Sequence, residues 1–212
     1  RFKLLIVFFF FVILLAGSSY SDSIKTPTED EFHEMDENLK EAVVTVKIKY
    51  MEFNVGIGSR MIYKKEASPN QMYYCYVVTN QHVVESATSV ELLIGKSGFE
   101  IGDVYASGAS NTSSEDIAVI RFESSKEYKV IEISTPTNIL NPLRLSVGQK
   151  VFAIGSPVDV YYSNAVSDIG IVTKQTMNFI VHTSNINPGN SGGPLFAMDG
   201  SFIGINTQKV EV

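Results

Sequence analysis

"NPGNSGGPLF", Asn187 to Phe196, sets three glycines and two prolines around one serine, Ser191, and runs straight into apolar residues. Turn chemistry explains part of this, because glycine accepts positive φ, asparagine tolerates it, and proline fixes φ while removing a donor. The same stretch would also present a hydroxyl on a sharp bend. A serine used as a nucleophile needs a base, an orienting acid and donors for developing negative charge. The rest of the chain decides between a turn and a nucleophile.

Outward from this stretch the chain reads as short strands. Six β-branched or aromatic runs follow Ala42: "VVTVKIKYMEF", "VGIGSRMIY", "MYYCYVVT", "SVELLIG", "FEIGDVYASG" and "IAVIRFE". Five more follow later: "QKVFAIG", "AVSDIGIVTK", "FIVHTS", "GPLFAM" and "SFIGINTQ". The region between the two series carries Pro136 and Pro142 and reads as a crossover. "KKEASPNQ", Lys64 to Gln71, reads as a longer hairpin before the Cys75 strand. Many short strands with glycine-rich turns and little helix point to an all-β chain of antiparallel barrels or a sandwich. Ahead of them, "EDEFHEMDENLKEA" places Phe32, Met35 and Leu39 at helical spacing after a small polar linker.

The chain has 212 residues, of which 44% are hydrophobic and 19% charged, enough for one domain or two compact subdomains. Arg1 and Lys3 precede an apolar run from Leu4 to Ala16 and then small residues, the layout of a secretory leader cleaved after Ser18. The run is short for a bilayer span, and an uncleaved signal anchor is the alternative. In "LAGS" Ser18 stands where a bacterial lipobox has cysteine, so no lipid anchor is expected. Removing the leader leaves 15 basic against 23 acidic residues, a net charge of −8. Nucleic acid and anionic membranes are poor partners for that charge, and a membrane would be met only through the leader. Cys75 is the single cysteine, so no internal disulfide forms, and its strand context reads as a buried, inert thiol.

Three histidines limit the search for a base. His33 lies on the acidic helical segment and receives no role. His82, in "VVTNQHVVESA", follows an apolar strand into a turn, where catalytic groups tend to sit. His182, in "FIVHTSN", is the rival, turned by strand alternation either to the core or to a pocket. Asp116, in "SSEDIAVIRF", stands at the mouth of a strand and could hold an imidazole tautomer; Glu115 and Asp103 are weaker alternatives. The sequon Asn111-Thr-Ser113 reads first as a polar loop. Metal or nucleotide motifs are absent, and neither a metal nor any other cofactor is expected.

Taken in order, "TNQHVV", "DIAVIRF", "AIGSP", "NPGNSGGPL" and "IGIN" resemble the HtrA (Deg-type) branch of the chymotrypsin-fold serine peptidases, over about Ala42 to Thr207. The resemblance implies two perpendicular antiparallel six-stranded β-barrels with the site in the cleft between them. The barrels would span 42–124 and 146–212, with a crossover at 125–145, a leader at 1–18 and a linker and helix at 19–41. The family's triad carries over onto His82, Asp116 and Ser191. "IGINTQKVEV" stops where the family continues into a sixth strand and a closing helix, so the second barrel is expected to lack its last strand. With no room for a PDZ domain and a start at Arg1, the sequence is expected to be a fragment at both ends.

In the implied mechanism His82 takes the Ser191 proton as the hydroxyl attacks a peptide carbonyl, while Asp116 fixes the ring. Gly189, Asn190 and Ser191 form the oxyanion hole, each donor being worth about 3 kcal/mol in the transition state. Asn185, Ile205 and Asn206 are the expected pocket residues, favouring cleavage after small or medium apolar side chains. The expected partners are polypeptides, in particular unfolded or damaged ones, outside the cytoplasm, with a homo-oligomer allowed by the open sheet edge. Two competing readings are a chaperone-like binding module on a peptidase scaffold and a leader-anchored surface scaffold.

Overall fold

The computed structural model describes residues 3–8, 27–50, 53–85, 87, 89–94, 98–108, 116–133, 145–156, 165–176 and 179–211. Most of the leader and linker (9–26), the body of the crossover (134–144), the sequon and Glu115 lie outside these residues.

The chain opens with β1 (Lys3–Phe8) and α1 (Glu29–Lys40). Thr28 caps α1 because its hydroxyl accepts from the Glu31 N–H at 3.3 Å while the Glu31 carboxylate accepts from the Thr28 N–H at 2.8 Å. This reciprocal box satisfies two donors that a helix start leaves orphaned. Acids in the first turn and Lys40 in the last complement the helix dipole. Among the described residues no helix is long and apolar enough to cross a membrane.

Six strands then close a barrel in the order β2-β3-β4-β7-β6-β5: β2 (Val43–Tyr50), β3 (Phe53–Ala67), β4 (Tyr73–Thr79), β5 (Ser89–Leu93), β6 (Phe99–Ser107) and β7 (Ala118–Ser124). They match the six runs read from the sequence. Alternation makes the barrel, since along β7 every second residue, Ala118, Ile120, Phe122 and Ser124, is buried. Val44, Val46, Ile62, Val77, Leu92 and Ile120 fill the interior. Each contributes about 1.5–3 kcal/mol by leaving water. Cys75 lies in the same core, where burial pushes its thiol up to about 11. At the Lys64–Gln71 hairpin β3 runs on to Ala67, opposite Tyr73, and the Ser68 N–H donates to the Met72 carbonyl at 2.9 Å across a tight turn.

The one-turn helix α2 (Gln81–Val84) joins β4 to the remainder of this barrel. The second unit comprises β8 (Lys150–Gly155), β9 (Ala165–Val166), β10 (Gly170–Gln175), β11 (Phe179–His182), β12 (Pro194–Ala197) and β13 (Phe202–Glu211). The run read as one strand over 165–174 is two, because Ser167 leaves the ladder. Its hydroxyl accepts from the Ala153 N–H at 2.9 Å and its own N–H donates to the Ala153 carbonyl at 2.8 Å. The sheet order is β10-β11-β1-β13-β12-β8-β9, and it curls until β10 meets β8, Gly170 facing Val151. Beside β13, Lys3–Phe8 lies antiparallel to both β11 and β13.

The two units meet through one apolar seam. Val43, Met61 and Val78 of the barrel pack with Phe152, Ile154, Phe196 and Ile205 of the second sheet. Helix α1 lays Phe32, Met35 and Leu39 on the same cluster, with the Phe32 ring edge-on to Phe152 at 5.0 Å.

Candidate active site

At the end of β4 the chain turns at Asn80 into α2, putting His82 at the barrel rim. The Asn80 side-chain amide donates to the Asp116 carbonyl at 3.0 Å, tying this turn to the residue that precedes β7. Asp116 then receives His82 twice. The His82 backbone N–H donates to Oδ1 at 2.9 Å, and ring Nδ1 stands 2.8 Å from Oδ2. An ionised carboxylate only accepts, so Nδ1 carries the hydrogen and a neutral ring leaves Nε2 as an acceptor. The His82 side chain is 47% exposed and that of Asp116 17%. Burial pushes the Asp116 carboxyl up, but hydrogen bonds from the His82 ring, the Thr207 hydroxyl and the His82 backbone outweigh it, and the net shift is downward.

Thr207 is a residue the sequence analysis did not single out. Its hydroxyl donates to Asp116 Oδ2 at 2.5 Å. The preceding residue, Asn206, accepts the Gly192 N–H on its backbone carbonyl at 2.8 Å, so β13 links the acid directly to the turn that carries Ser191.

That turn is fixed one peptide plane after another. Gly189 takes φ 97° and Gly192 φ 80°, values that favour glycine. The Gly189 carbonyl accepts from Ser59 Oγ at 2.7 Å, while the Asn190 N–H of the same peptide donates to the Asn187 carbonyl at 3.0 Å. The Asn190 carbonyl accepts from the Gly193 N–H at 3.0 Å. A trans peptide is planar, so the Ser191 N–H points the opposite way. The Ser191 carbonyl accepts from the Ser59 N–H at 3.0 Å. Of the three residues expected in the oxyanion hole, the Gly189 and Ser191 N–H groups have no hydrogen-bond partner among the described residues, whereas the Asn190 N–H is used within the turn. Ser59 also accepts the Ser156 N–H at 2.6 Å, so one hydroxyl of the first barrel holds two segments of the second unit.

The other expected residues fall in different places. Ile205 is fully buried in the seam. Asn206 is fully buried too, its side-chain amide donating to the Gly193 carbonyl at 3.0 Å and its backbone N–H to the same carbonyl at 2.8 Å. Asn185 is exposed. His182 is turned to the core: Nδ1 accepts from the Ser184 N–H at 3.2 Å and Nε2 donates to Asn206 Oδ1 at 3.3 Å. Burial pulls its ring down to about 4, against the Asn206 hydrogen bond. Asp103 lies exposed on β6 opposite Arg121, and His33 is exposed on α1.

Two β units, a His–Asp pair on the rim of one and a serine turn of the other tied to that pair through β13 have the layout of a nucleophilic serine hydrolase. The chain belongs to the trypsin-like peptidase domain family, whose model matches residues 62–205. It is 32% identical over 168 residues to the serine protease Do-like HtrA of Bacillus subtilis, covering 73% of this chain and 34% of that protein. It is 30% identical over 172 residues to the chloroplastic Protease Do-like 1 of Arabidopsis thaliana, covering 74% and 34%. A probable periplasmic serine endoprotease, DegP-like, of Halomonas elongata is 36% identical over 139 residues, covering 63% and 27%. The crystal structure of the serine endoprotease from Yersinia pestis superposes with a TM-score of 0.66 at 27% identity, covering 86% of this chain and 58% of that one. The chain thus spans about a third of the length of the curated relatives it matches.

Proposed function

We propose that this chain is the peptidase unit of an extracytoplasmic serine endopeptidase acting through Ser191, His82 and Asp116. The observation that carries the reading is the coupling of His82 and Asp116 at 2.8 Å, with Thr207 joining the same carboxylate to the strand that holds Gly192. Ser191 Oγ attacks the substrate carbonyl, and its proton passes to His82 Nε2. The oxyanion turns to the Gly189 and Ser191 N–H groups. His82 then protonates the leaving amine, and a water repeats the sequence on the acyl-enzyme. Unfolded or damaged polypeptides are the substrate class implied by the HtrA resemblance. The leader-like start and the periplasmic relative support action outside the cytoplasm. Cleavage after Ser18 would withdraw β1 from between β11 and β13, so the processed chain would need another segment at that place.

One observation favours a chaperone-like binding module instead. The Ser191 hydroxyl makes no hydrogen bond among the described residues. Catalytic hydrogen bonds often tighten only when substrate arrives, which reconciles this with peptidase action. A fluorophosphonate probe separates the two readings. Labelling of the folded chain that disappears in Ser191→Ala supports the peptidase. Absence of labelling, with aggregation suppression equal in wild type and Ser191→Ala, overturns it.

A further inference from the structure

Arg60 is out of place for a barrel core. On β3 it shares a face with Gly58 and Ile62, and Ile62 belongs to the barrel interior. It is 0% exposed. Its Nη1 donates to the Ser59 carbonyl at 2.8 Å and reaches the Ser191 carbonyl at 3.5 Å, while Nε and Nη2 have no partner among the described residues. A buried guanidinium without a carboxylate is among the costliest groups a core can hold. Burial pulls it down to about 9, which still leaves it charged at neutral pH.

The space it occupies is shaped for it. A Cβ on Gly58 would stand 2.6 Å from Nη1, 3.1 Å from the Ser191 carbonyl oxygen and 3.3 Å from Val83 Cγ1. A Cβ on Gly192 would stand 3.1 Å from Nη1 and 2.7 Å from the Thr79 hydroxyl. Two residues without side chains therefore admit the cation between the His82 turn and the Ser191 turn. An aliphatic side chain such as methionine would fill the same volume without the desolvation penalty.

We propose that Arg60 is a positioning residue for the nucleophile, which the chain retains at a cost in stability. Its cation acts with the Ser59 N–H on the Ser191 carbonyl and so locks the Ser191–Gly192 peptide plane. The hydroxyl and the Ser191 N–H keep their aim through that lock. The inference rests on the reading of Ser191 as nucleophile.

The test compares wild type, Arg60→Met and Arg60→Lys as full chains, with kcat and KM on an activated ester, the reactive serine counted by fluorophosphonate titration, and thermal midpoints. Arg60→Met is expected to keep or raise the midpoint, leave KM nearly unchanged and lower kcat per titrated serine by about tenfold, with partial recovery in Arg60→Lys. A folded Arg60→Met with kcat per titrated serine within about twofold of wild type overturns the proposal. If Arg60→Met does not fold, Arg60→Gln, which removes the cation but stays polar, decides alone: a lowered kcat per titrated serine supports the role and an unchanged one overturns it. Failure of the wild type itself to label overturns the peptidase reading, whereas equal turnover of labelled wild type and variants overturns only the role of Arg60.

Discussion

The turn carrying His82 and the strand carrying His182 give the same side chain opposite surroundings. His82 stands at a strand end, half exposed, with a carboxylate on Nδ1 and Nε2 left open. His182, the last residue of β11, is fully buried, with both ring nitrogens engaged by neutral groups. A carboxylate stabilises an imidazolium, whereas an amide oxygen and a backbone N–H fix the neutral ring. Burial and the partner on the ring, rather than residue type, therefore separate a candidate base from a core residue.

The hardest test of this contrast is to remove each ring. His82→Ala should lower kcat/KM by roughly 10⁴–10⁶-fold with little change in thermal midpoint, as for a group acting in a unit with its nucleophile. His182→Ala should keep the rate per folded molecule while losing about 2 kcal/mol of stability, because the Ser184 N–H and Asn206 Oδ1 lose their partner. Ester hydrolysis and denaturant melts on both variants read the two outcomes, and a reversal would exchange the roles.

Asp116→Asn should cost about 10⁴-fold in kcat, since an amide can present a donor to Nδ1 and select the wrong tautomer. Steady-state kinetics on the folded variant checks this. A smaller effect follows from acid. His182 is held at about 4 against an ordinary 6.5, so between these values the unfolded chain binds the proton first. Stability then rises with pH across that window and falls on acidification, by up to about 3 kcal/mol. Asp116 acts in the same direction at lower pH: its lowered value stabilises the fold above the ordinary carboxyl value of 3.8, and that contribution is lost as the pH falls below it. Melts at pH 7 and pH 4.5 should differ in wild type and differ much less in His182→Gln. The smallest change expected is in Thr207→Val, which removes one donor from Asp116 and should lower kcat by about five- to tenfold with KM unchanged.

The six barrel strands were legible because β-branched residues alternate over runs bounded by turn residues, a pattern that belongs to the local chain. His82 and Asp116 were legible for a related reason, both standing where an apolar run begins or ends. Thr207 was not, because a threonine in "GINTQ" shows nothing until the β13 register sets it beside the carboxylate. Ile205 and Asn206 were expected in the pocket from the resemblance, but alternation along β13 sends Ile205 into the seam and Asn206 towards His182 and Gly193, and both side chains are buried. Arg60 did leave a trace, a cation between "IGS" and "MIY", ahead of the charged "KKE" that ends the same strand. Its burial depends on Gly58 and on Gly192, 132 positions further along the chain, and no local reading reaches that far. The placement of Lys3–Phe8 beside β13 was equally hidden, since an apolar leader and an apolar strand have the same composition.

The seam under α1 has a practical consequence for dividing the molecule. Val43, Met61 and Val78 on one side and Phe152, Phe196 and Ile205 on the other share one cluster, with Phe32 laid across it. Expressed separately, residues 27–133 and 145–211 would each carry a sticky apolar wall and precipitate or bind chaperones. Mixed together, they should reassemble as an obligate pair, so recovery of soluble protein on mixing is a direct reading of how strongly the seam binds its two walls.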